Sequence, residues 1–385
     1  MRILQISNYL YPNIGGIEQT ARDIARALTK DNHENKIICF NETADSPDKH
    51  CKRKETVKDT VDSIEVYRCG CICKAASQSI SLTFGRQLKS IMDSFEPEIV
   101  IFHYPNPYQA LFLLRHCKKQ RFKLVLYWHL DIVKQKMLGK LFFKQNIALL
   151  ERADIIVATS PNYIKGSPFL SKYKKKCVVI PSCISTERLT VTPKVNQIAE
   201  KIKQSNQEKI IVFAVGRHVE YKGMKYLVEA SKFLDDRFEI YIGGKGELTE
   251  SLKAQASNDN KIHFLGRLSD AELTAYYMAC DIFAFPSITK NEAFGLSLAE
   301  AMYFEKPAVT FTIPGSGVNY VSLDNITGLE CPNQDGKAFA DAIKKIADDT
   351  SLADRLAFSA KDRVVKNFTN ETFEKKIIAL IKNLK

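Results

Sequence analysis

The chain has 385 residues, 45% hydrophobic and 26% charged, with a formal net charge of +12. That length suits two domains of ordinary size, each apolar enough to bury a core. No run of about 18 apolar residues occurs, which excludes a spanning helix.

Met1-Arg-Ile-Leu-Gln-Ile-Ser7 reads as a short buried strand and not as a signal peptide, so a cytoplasmic location is expected. Ten cysteines fit that compartment as reduced thiols. Cys69, Cys71 and Cys73 would share one face if they lay on a strand. No Cys-x-x-Cys or histidine partner accompanies them, so thiols of a strand or loop are favoured over a metal cluster. The excess positive charge lies in the first half. Residues 1–190 hold 30 Lys and Arg against 18 Asp and Glu, and residues 191–385 hold 26 of each. An anionic substrate, an anionic membrane or nucleic acid would each account for it. Nucleic acid ranks last, because no aromatic residues interleave with a recognition motif.

In chain order, a strand at 2–7 leads through Asn8–Glu18, with Gly15 and Gly16, into a helix ending near Lys30. This places two glycines in the first strand-to-helix loop, where ligands of α/β sheets gather. It is not a full Gly-x-Gly-x-x-Gly fingerprint. It reads either as a tight turn or as a loop that approaches a substrate. Lys36–Phe40 is a strand, 41–60 a polar loop, Ser63–Tyr67 a strand and 80–95 a helix. Strands at 98–103 and 122–129 end in His103 and His129, with a helix from about Tyr108 to Lys118 between them. Each histidine reads either as a structural hydrogen-bonding group or as a ligand contact. A basic amphipathic helix at 134–152 and strands at 153–159 and 177–181 complete a first domain, 1–190. Strands alternating with helices imply a parallel sheet covered on both faces.

Residues 184–208 are polar, helix-compatible and poor in large apolar groups, and read as the inter-domain linker. The pattern then restarts in a second domain, 191–385. Four of its loops share one design, each following a strand and preceding a helix: Gly216-Arg217…Lys222, Gly243…Gly246, Gly266-Arg267, and Glu292…Glu300. In a parallel sheet such loops converge at the carboxyl ends of the strands. In the last of them Asp281–Pro286 reads as a buried strand, and Gly295 opens a helix. Backbone N–H groups at Gly295 and Leu296 would lack intrahelical acceptors and suit a phosphate. Glu300, about one and a half turns in, is within reach of a ribose. Glu292, ahead of the helix, suits the hydroxyls of a sugar. A strand at 306–311, a loop at 314–317 and helices from about Gly336 follow.

Asn291-Glu-Ala-Phe-Gly-Leu-Ser-Leu-Ala-Glu-Ala301 with its Glu-x7-Glu, Gly216-Arg217-x4-Lys222-Gly223, Gly15-Gly16-Ile17-Glu18 and His129 at a strand end resemble the retaining glycosyltransferases of the GT-B fold, family four, the group 1 type. The resemblance spans nearly the whole chain. It implies two Rossmann-like, doubly wound domains facing a central cleft, with acceptor bound by the first and nucleotide-sugar donor by the second. It implies Arg217 and Lys222 on the pyrophosphate, Glu300 on the ribose, Arg267 beside the base, and Glu292 with the backbone of Ala293, Phe294, Gly295 and Leu296 on the sugar. Gly15 and Gly16 would cover the phosphates, Gly216 would open the diphosphate loop, and His129 would lie on the sugar's side. Family members often carry His-Asp at that last place, whereas this chain has His129-Leu-Asp131.

The expected function is transfer of a hexose from a UDP- or GDP-sugar to a saccharide acceptor, lipid-pyrophosphate-linked, in capsule or lipopolysaccharide assembly. No Asp-x-Asp occurs, so no metal and no cofactor are expected. Two readings compete. A nucleotide-sugar epimerase shares the fold but has no need of the Glu-x7-Glu pair. A non-catalytic partner subunit would have no need of Arg217, Lys222, Glu292 and Glu300 together.

Overall fold

The structure is a computed structural model and describes residues 1–13, 15–41, 55–75, 78–118, 121–131 and 136–384, with the backbone alone at 136–141. The chain divides into two units. The first comprises Met1–Thr159, Ser167–Ile180 and Phe373–Lys385, and the second Ser160–Gly166 and Pro181–Thr372.

The first unit contains strands β1 (Arg2–Ile6), β2 (Glu34–Phe40), β3 (Thr56–Val61), β4 (Ile64–Cys69), β5 (Cys73–Ala75), β6 (Gln78–Ile80), β7 (Ile99–Tyr104), β8 (Lys123–Trp128), β9 (Ile155–Ala158) and β10 (Cys177–Val179). Its helices are α1 (Gly16–Lys30), α2 (Phe84–Phe95), α3 (Pro107–Cys117), α4 (Lys136–Arg152) and α5 (Pro161–Gly166), the last assigned to the second unit. Eight strands form one sheet in the order β10-β9-β8-β7-β1-β2-β4-β3, parallel except for β3. Every residue of β7 and all but Arg2 of β1 are buried, because helices cover both faces of these central strands. The strand order reverses at β1, with β2 on one side and β7 on the other. On α1, Ala21, Ile24, Ala25 and Leu28 recur at helical spacing and are buried.

The second unit contains α6 (Pro193–Ser205), β11 (Ile210–Val215), α7 (Met224–Ser231), β12 (Phe238–Gly243), α8 (Thr249–Gln255), β13 (Ile262–Gly266), α9 (Asp270–Ala279), β14 (Ile282–Phe285), α10 (Leu296–Tyr303), β15 (Ala308–Phe311), α11 (Val318–Val321), β16 (Gly328–Cys331), α12 (Gly336–Asp348) and α13 (Thr350–Asn367). A last helix, α14 (Asn370–Lys382), ends the chain. The sheet order is β13-β12-β11-β14-β15-β16, all parallel. Its order reverses between β11 and β14, so the loops after these two strands flank the switch point. Both units are Rossmann-like.

Several expectations need correction. The boundary placed at 190/191 lies at Ile180/Pro181, and the last thirteen residues return to the first unit. Lys382 bonds Asp31 at 3.1 Å and Lys30 bonds Glu374 at 2.7 Å, tying α14 to the end of α1. The supposed linker contains α6, started by Thr192, whose hydroxyl accepts from Val195 N–H. Val195 and Ala199 of α6 pack on Ala275 and Ala279 of α9. Ile198 and Ile202 of α6 pack half-buried against the same cluster, while the rest of the helix is polar and faces solvent. The polar stretch 41–60 includes β3 from Thr56 onward, and residues 42–54 lie outside the described part. Cys69 and Cys71 are buried while Cys73 is exposed, so the three do not line one face. Among the described residues no group of His, Cys, Asp or Glu has the arrangement to hold a metal ion.

Candidate active site

The loops after β11 and β14 are joined by backbone: Ile288 N–H donates to Tyr221 C=O at 3.0 Å. Gly223 has φ +62°, and a Cβ there would lie 2.1 Å from the Pro286 carbonyl oxygen, so only glycine lets these loops meet. Their meeting brings Lys222 against Glu292. The Lys222 ammonium pairs with Glu292 Oε2, both side chains mostly buried. The same carboxylate oxygen accepts from Ser287 Oγ at 3.3 Å, and Lys222 Nζ lies 5.3 Å over the Phe285 ring. Arg217 is exposed on the β11 loop, where Nη2 donates to Tyr221 Oη at 3.1 Å. Gly216 N–H donates to Gly243 C=O at 3.1 Å and His218 N–H to Lys245 C=O at 3.1 Å, so the β12 loop is stitched to the same edge. Arg267 is exposed just after β13. The four loops singled out in the sequence thus follow four neighbouring strands at their carboxyl ends.

Gly295, at φ +93°, turns the chain into α10, with Ala299 N–H the first to find an intrahelical acceptor. Leu296 to Leu298 therefore point N–H groups out of the helix start. Ahead of them Ser316 Oγ donates to the Glu292 carbonyl at 2.6 Å, fixing the loop backbone beside Ala293. Phe294 is a core residue, packed edge-on to Phe368 with centroids 5.2 Å apart. Glu300 is buried within α10. Its Oε2 accepts from Tyr277 Oη at 2.8 Å, and its Oε1 pairs with the guanidinium of Arg188. Arg188 also meets Asp270 at 3.3 Å. Burial pushes the Glu300 carboxyl above its ordinary value, while Arg188 and the Tyr277 hydroxyl pull it back. Sequence reasoning missed Arg188, because it lies in the segment read as a linker, 112 residues from its partner.

In the first unit the neighbouring strands β1, β7 and β8 bring Gln5, His103 and His129 together. His103 Nε2 lies 3.0 Å from Gln5 Oε1, and His103 Nδ1 lies 3.0 Å from His129 Nε2. An amide oxygen only accepts, so His103 donates from Nε2 and accepts at Nδ1 from His129 Nε2–H. His129 is left with its lone pair on Nδ1. Burial drives the His103 pKa down to about 3 and that of His129 well below its usual value, so both imidazoles are neutral. Asp131 is a structural acceptor here, taking Trp128 Nε1–H at 3.0 Å and Ser167 Oγ–H at 2.8 Å. Gly15 precedes α1 with an extended φ of −160°, and the Glu18 carboxylate folds back against it; Gly16 is exposed.

Residues 14–188 match the family model described as Glycosyltransferase Family 4, and residues 195–363 match that of Glycosyl transferases group 1. The chain is a glycosyltransferase, similar to one of these two families in each half. The group 1 match covers Arg217, Lys222, Arg267, Glu292 and Glu300, and the other match covers Gly15, Gly16, His129 and Arg188. This glycosyltransferase is 28% identical to the O-antigen chain mannosyltransferase C of Escherichia coli over 372 residues, 96% of this chain and 95% of that one. It is 28% identical to the D-rhamnosyltransferase WbpZ of Pseudomonas aeruginosa over 375 residues, 96% and 92% of the two chains. Its fold matches sucrose-phosphate synthase from Thermosynechococcus elongatus with a TM-score of 0.78 at 18% identity, covering 100% and 99% of the chains. It matches Anabaena HepE in complex with UDP-glucose with a TM-score of 0.77 at 17% identity, covering 100% of both. The architecture is therefore GT-B.

Proposed function

We propose that this glycosyltransferase moves a hexose from a UDP- or GDP-linked sugar to a saccharide acceptor carried on a lipid pyrophosphate, with retention, during assembly of a capsule or lipopolysaccharide. The carrying observation is the meeting of Lys222 and Glu292 at the switch point of the second unit, ahead of the helix that buries Glu300. Two relatives spanning over nine-tenths of the chain are a mannosyltransferase of O-antigen and a rhamnosyltransferase, which supports the setting. The HepE complex with UDP-glucose supports the donor class.

In this reading Arg217 and Lys222 neutralise the departing diphosphate, aided by the outward N–H groups at the start of α10. Fixed charges of this kind contribute about 10²–10³ in rate each. Glu300 takes the ribose hydroxyls, Arg267 flanks the base, and Glu292 with the 293–296 backbone holds the sugar. The acceptor oxygen bonds to the anomeric carbon as the bond to the diphosphate oxygen breaks. The acceptor's proton passes to that phosphate on the same face. Neutral His129 serves the sugar as a hydrogen-bonding group and not as a cation. The protein works at the cytoplasmic face of the membrane, with the first unit toward the acceptor.

The test incubates the protein with UDP- and GDP-hexoses and a lipid-pyrophosphate-linked saccharide, with mass analysis of the lipid fraction. A product one hexose heavier is expected, and it should form equally in EDTA. Loss in EDTA restored by Mg²⁺ would overturn the assignment of charge neutralisation to Arg217 and Lys222. Isomerised free nucleotide-sugar, without glycosylated lipid, would make the protein an epimerase.

A further inference from the structure

Glu300 is the one carboxylate proposed above to act from a buried position, and its surroundings show how it can. The titratable and charged groups that bear on it are Arg188, from the segment after Pro181, and Tyr277 and Asp270, from α9. Tyr277 is completely buried and its hydroxyl is spent on Glu300 Oε2 at 2.8 Å. Arg188 reaches Oε1 from the solvent side, its own side chain 36% exposed, and its other terminal nitrogen is held by Asp270 at 3.3 Å. Each carboxylate oxygen has two acceptor positions. Tyr277 occupies one on Oε2 and Arg188 one on Oε1, which leaves one on each oxygen among the described residues. Two adjacent free acceptors match a vicinal diol.

A protonated carboxyl would not offer that pattern, since one oxygen would become a donor. Burial favours the protonated form. Among the described residues, Arg188 is the cation that bears most on Glu300. A glutamine there would keep hydrogen-bond capacity without charge, and a lysine would keep charge without the planar fork.

We propose that Arg188 is a positioning residue of the donor site: it holds the buried Glu300 as an anion, turned so that its two remaining acceptor positions receive the vicinal hydroxyls of the donor ribose. This rests on the assignment of Glu300 to the ribose. Arg188 touches Glu300 and acts through it, without contact to the reacting atoms.

The experiment measures binding of UDP-glucose and GDP-mannose by calorimetry to wild type, Arg188→Gln, Arg188→Lys and Glu300→Gln, from about pH 5.5 to about pH 8.5, the range into which a buried carboxyl rises. The diphosphate of a nucleotide-sugar is esterified at both ends and does not titrate there. Melting of the nucleotide-free proteins checks that each variant is folded. Wild type should bind one of the two probes with little dependence on pH. Arg188→Gln should lose about tenfold or more at the acid end and recover as pH rises, because the ionised carboxyl is the binding form. Arg188→Lys should stay nearly flat with pH, and it carries the test if the glutamine variant does not fold. A loss that is equal at every pH would mean a merely structural role. Tighter binding at every pH would mean that Arg188 competes with the ribose. Either result overturns the proposal. If Glu300→Gln binds as wild type does, the ribose assignment itself fails. If Glu300→Gln weakens binding while Arg188→Gln matches wild type, the ribose assignment stands and only the role of Arg188 falls.

Discussion

At the residue scale, Lys222 and Glu292 are each other's partner before any substrate arrives. The pair is mostly buried, so removing either charge leaves the other desolvated and uncompensated. Lys222→Ala should therefore lower kcat by roughly two to three orders of magnitude with the fold intact, through loss of charge neutralisation on the leaving group. Glu292→Gln should depress transfer too, yet leave affinity for bare UDP or GDP unchanged or slightly higher, because it releases the lysine toward the diphosphate. Calorimetry beside steady-state kinetics separates the two, and a Glu292→Gln protein that loses nucleotide affinity would refute the division of roles. The histidines give a pH signature. His103 and His129 have folded pKa values below the ordinary value of about 6.5, so the unfolded chain binds more protons once pH falls below that value. Stability from their burial is complete above about pH 6.5 and is lost as pH falls toward the folded values. Imidazole NMR signals of His103 and His129 should not titrate between about pH 8 and about pH 5, and movement of either near pH 6.5 would contradict the buried neutral pair. Lys222, Glu292 and Glu300 were legible in the sequence because motif spacing places them at one sheet edge, the first two on its loops and Glu300 inside the helix that follows. Arg188, Gln5 and Tyr277 were not, since each matters through one long-range contact that has no periodicity or motif.

At the element scale, strands buried on both faces were the readable ones. Runs such as Ile99–Phe102 and Ile211–Ala214 are apolar throughout because helices cover both sides. The elements missed were short or marginal: the β5–β6 hairpin, four-residue β16, edge strand β3 and the short helices α5 and α11. An edge strand faces solvent and carries polar residues, so β3 looked like loop. Its turn is nonetheless specific. Asp62 and Ser63 both have positive φ, +51° and +65°, the pair of conformations of a type I′ hairpin. Asp62 is held by two arginines of α1, with Arg22 Nε at 2.6 Å and Arg26 Nε at 2.8 Å, which keeps its carboxyl far below the usual range. A depressed carboxylate contributes stability above its unfolded value of about 3.9 and loses it as pH falls toward the folded value. Asp62→Asn should lower the melting temperature at neutral pH, and its deficit against wild type should shrink as pH falls below about 4. Thermal melts of both proteins across that range check this. A deficit that is constant with pH would assign the effect to turn geometry instead of the ion pairs.

At the scale of the whole molecule, the charge division is sharper than the sequence halves suggested. With the C-terminal segment counted where it packs, the first unit holds 32 Lys and Arg against 18 Asp and Glu, and the second 24 against 26. The return of α14 adds Lys375, Lys376 and Lys382 to the unit already positive. Between Arg115 and Lys144 nine cations stand against one acid, Asp131. Of the basic amphipathic helix expected at 134–152, the side chains of Lys136, Leu138, Lys140 and Leu141 lie outside the described part. Phe143 is 46% exposed, Lys144 is exposed, and Leu149 and Leu150 are buried. The C-terminal half of α4 is thus packed on its own sheet, and its middle offers an exposed aromatic, Phe143, beside Lys144. Among the described residues no helix is long and apolar enough to cross a membrane, whereas a basic helix bearing an aromatic residue can lie in the headgroup plane. Each Lys or Arg near an anionic bilayer contributes about 1 kcal/mol, and salt screens it within about 10 Å at 0.1 M. The protein should therefore co-sediment with liposomes containing anionic lipid at low salt, release at high salt, and ignore neutral liposomes. Replacing Lys136, Lys140 and Lys144 by Glu should abolish sedimentation while nucleotide binding, proposed above for the second unit, stays unchanged. If wild type remains in the supernatant at low salt, the positive charge of the first unit serves a soluble anionic acceptor, and the lipid-linked acceptor loses its support.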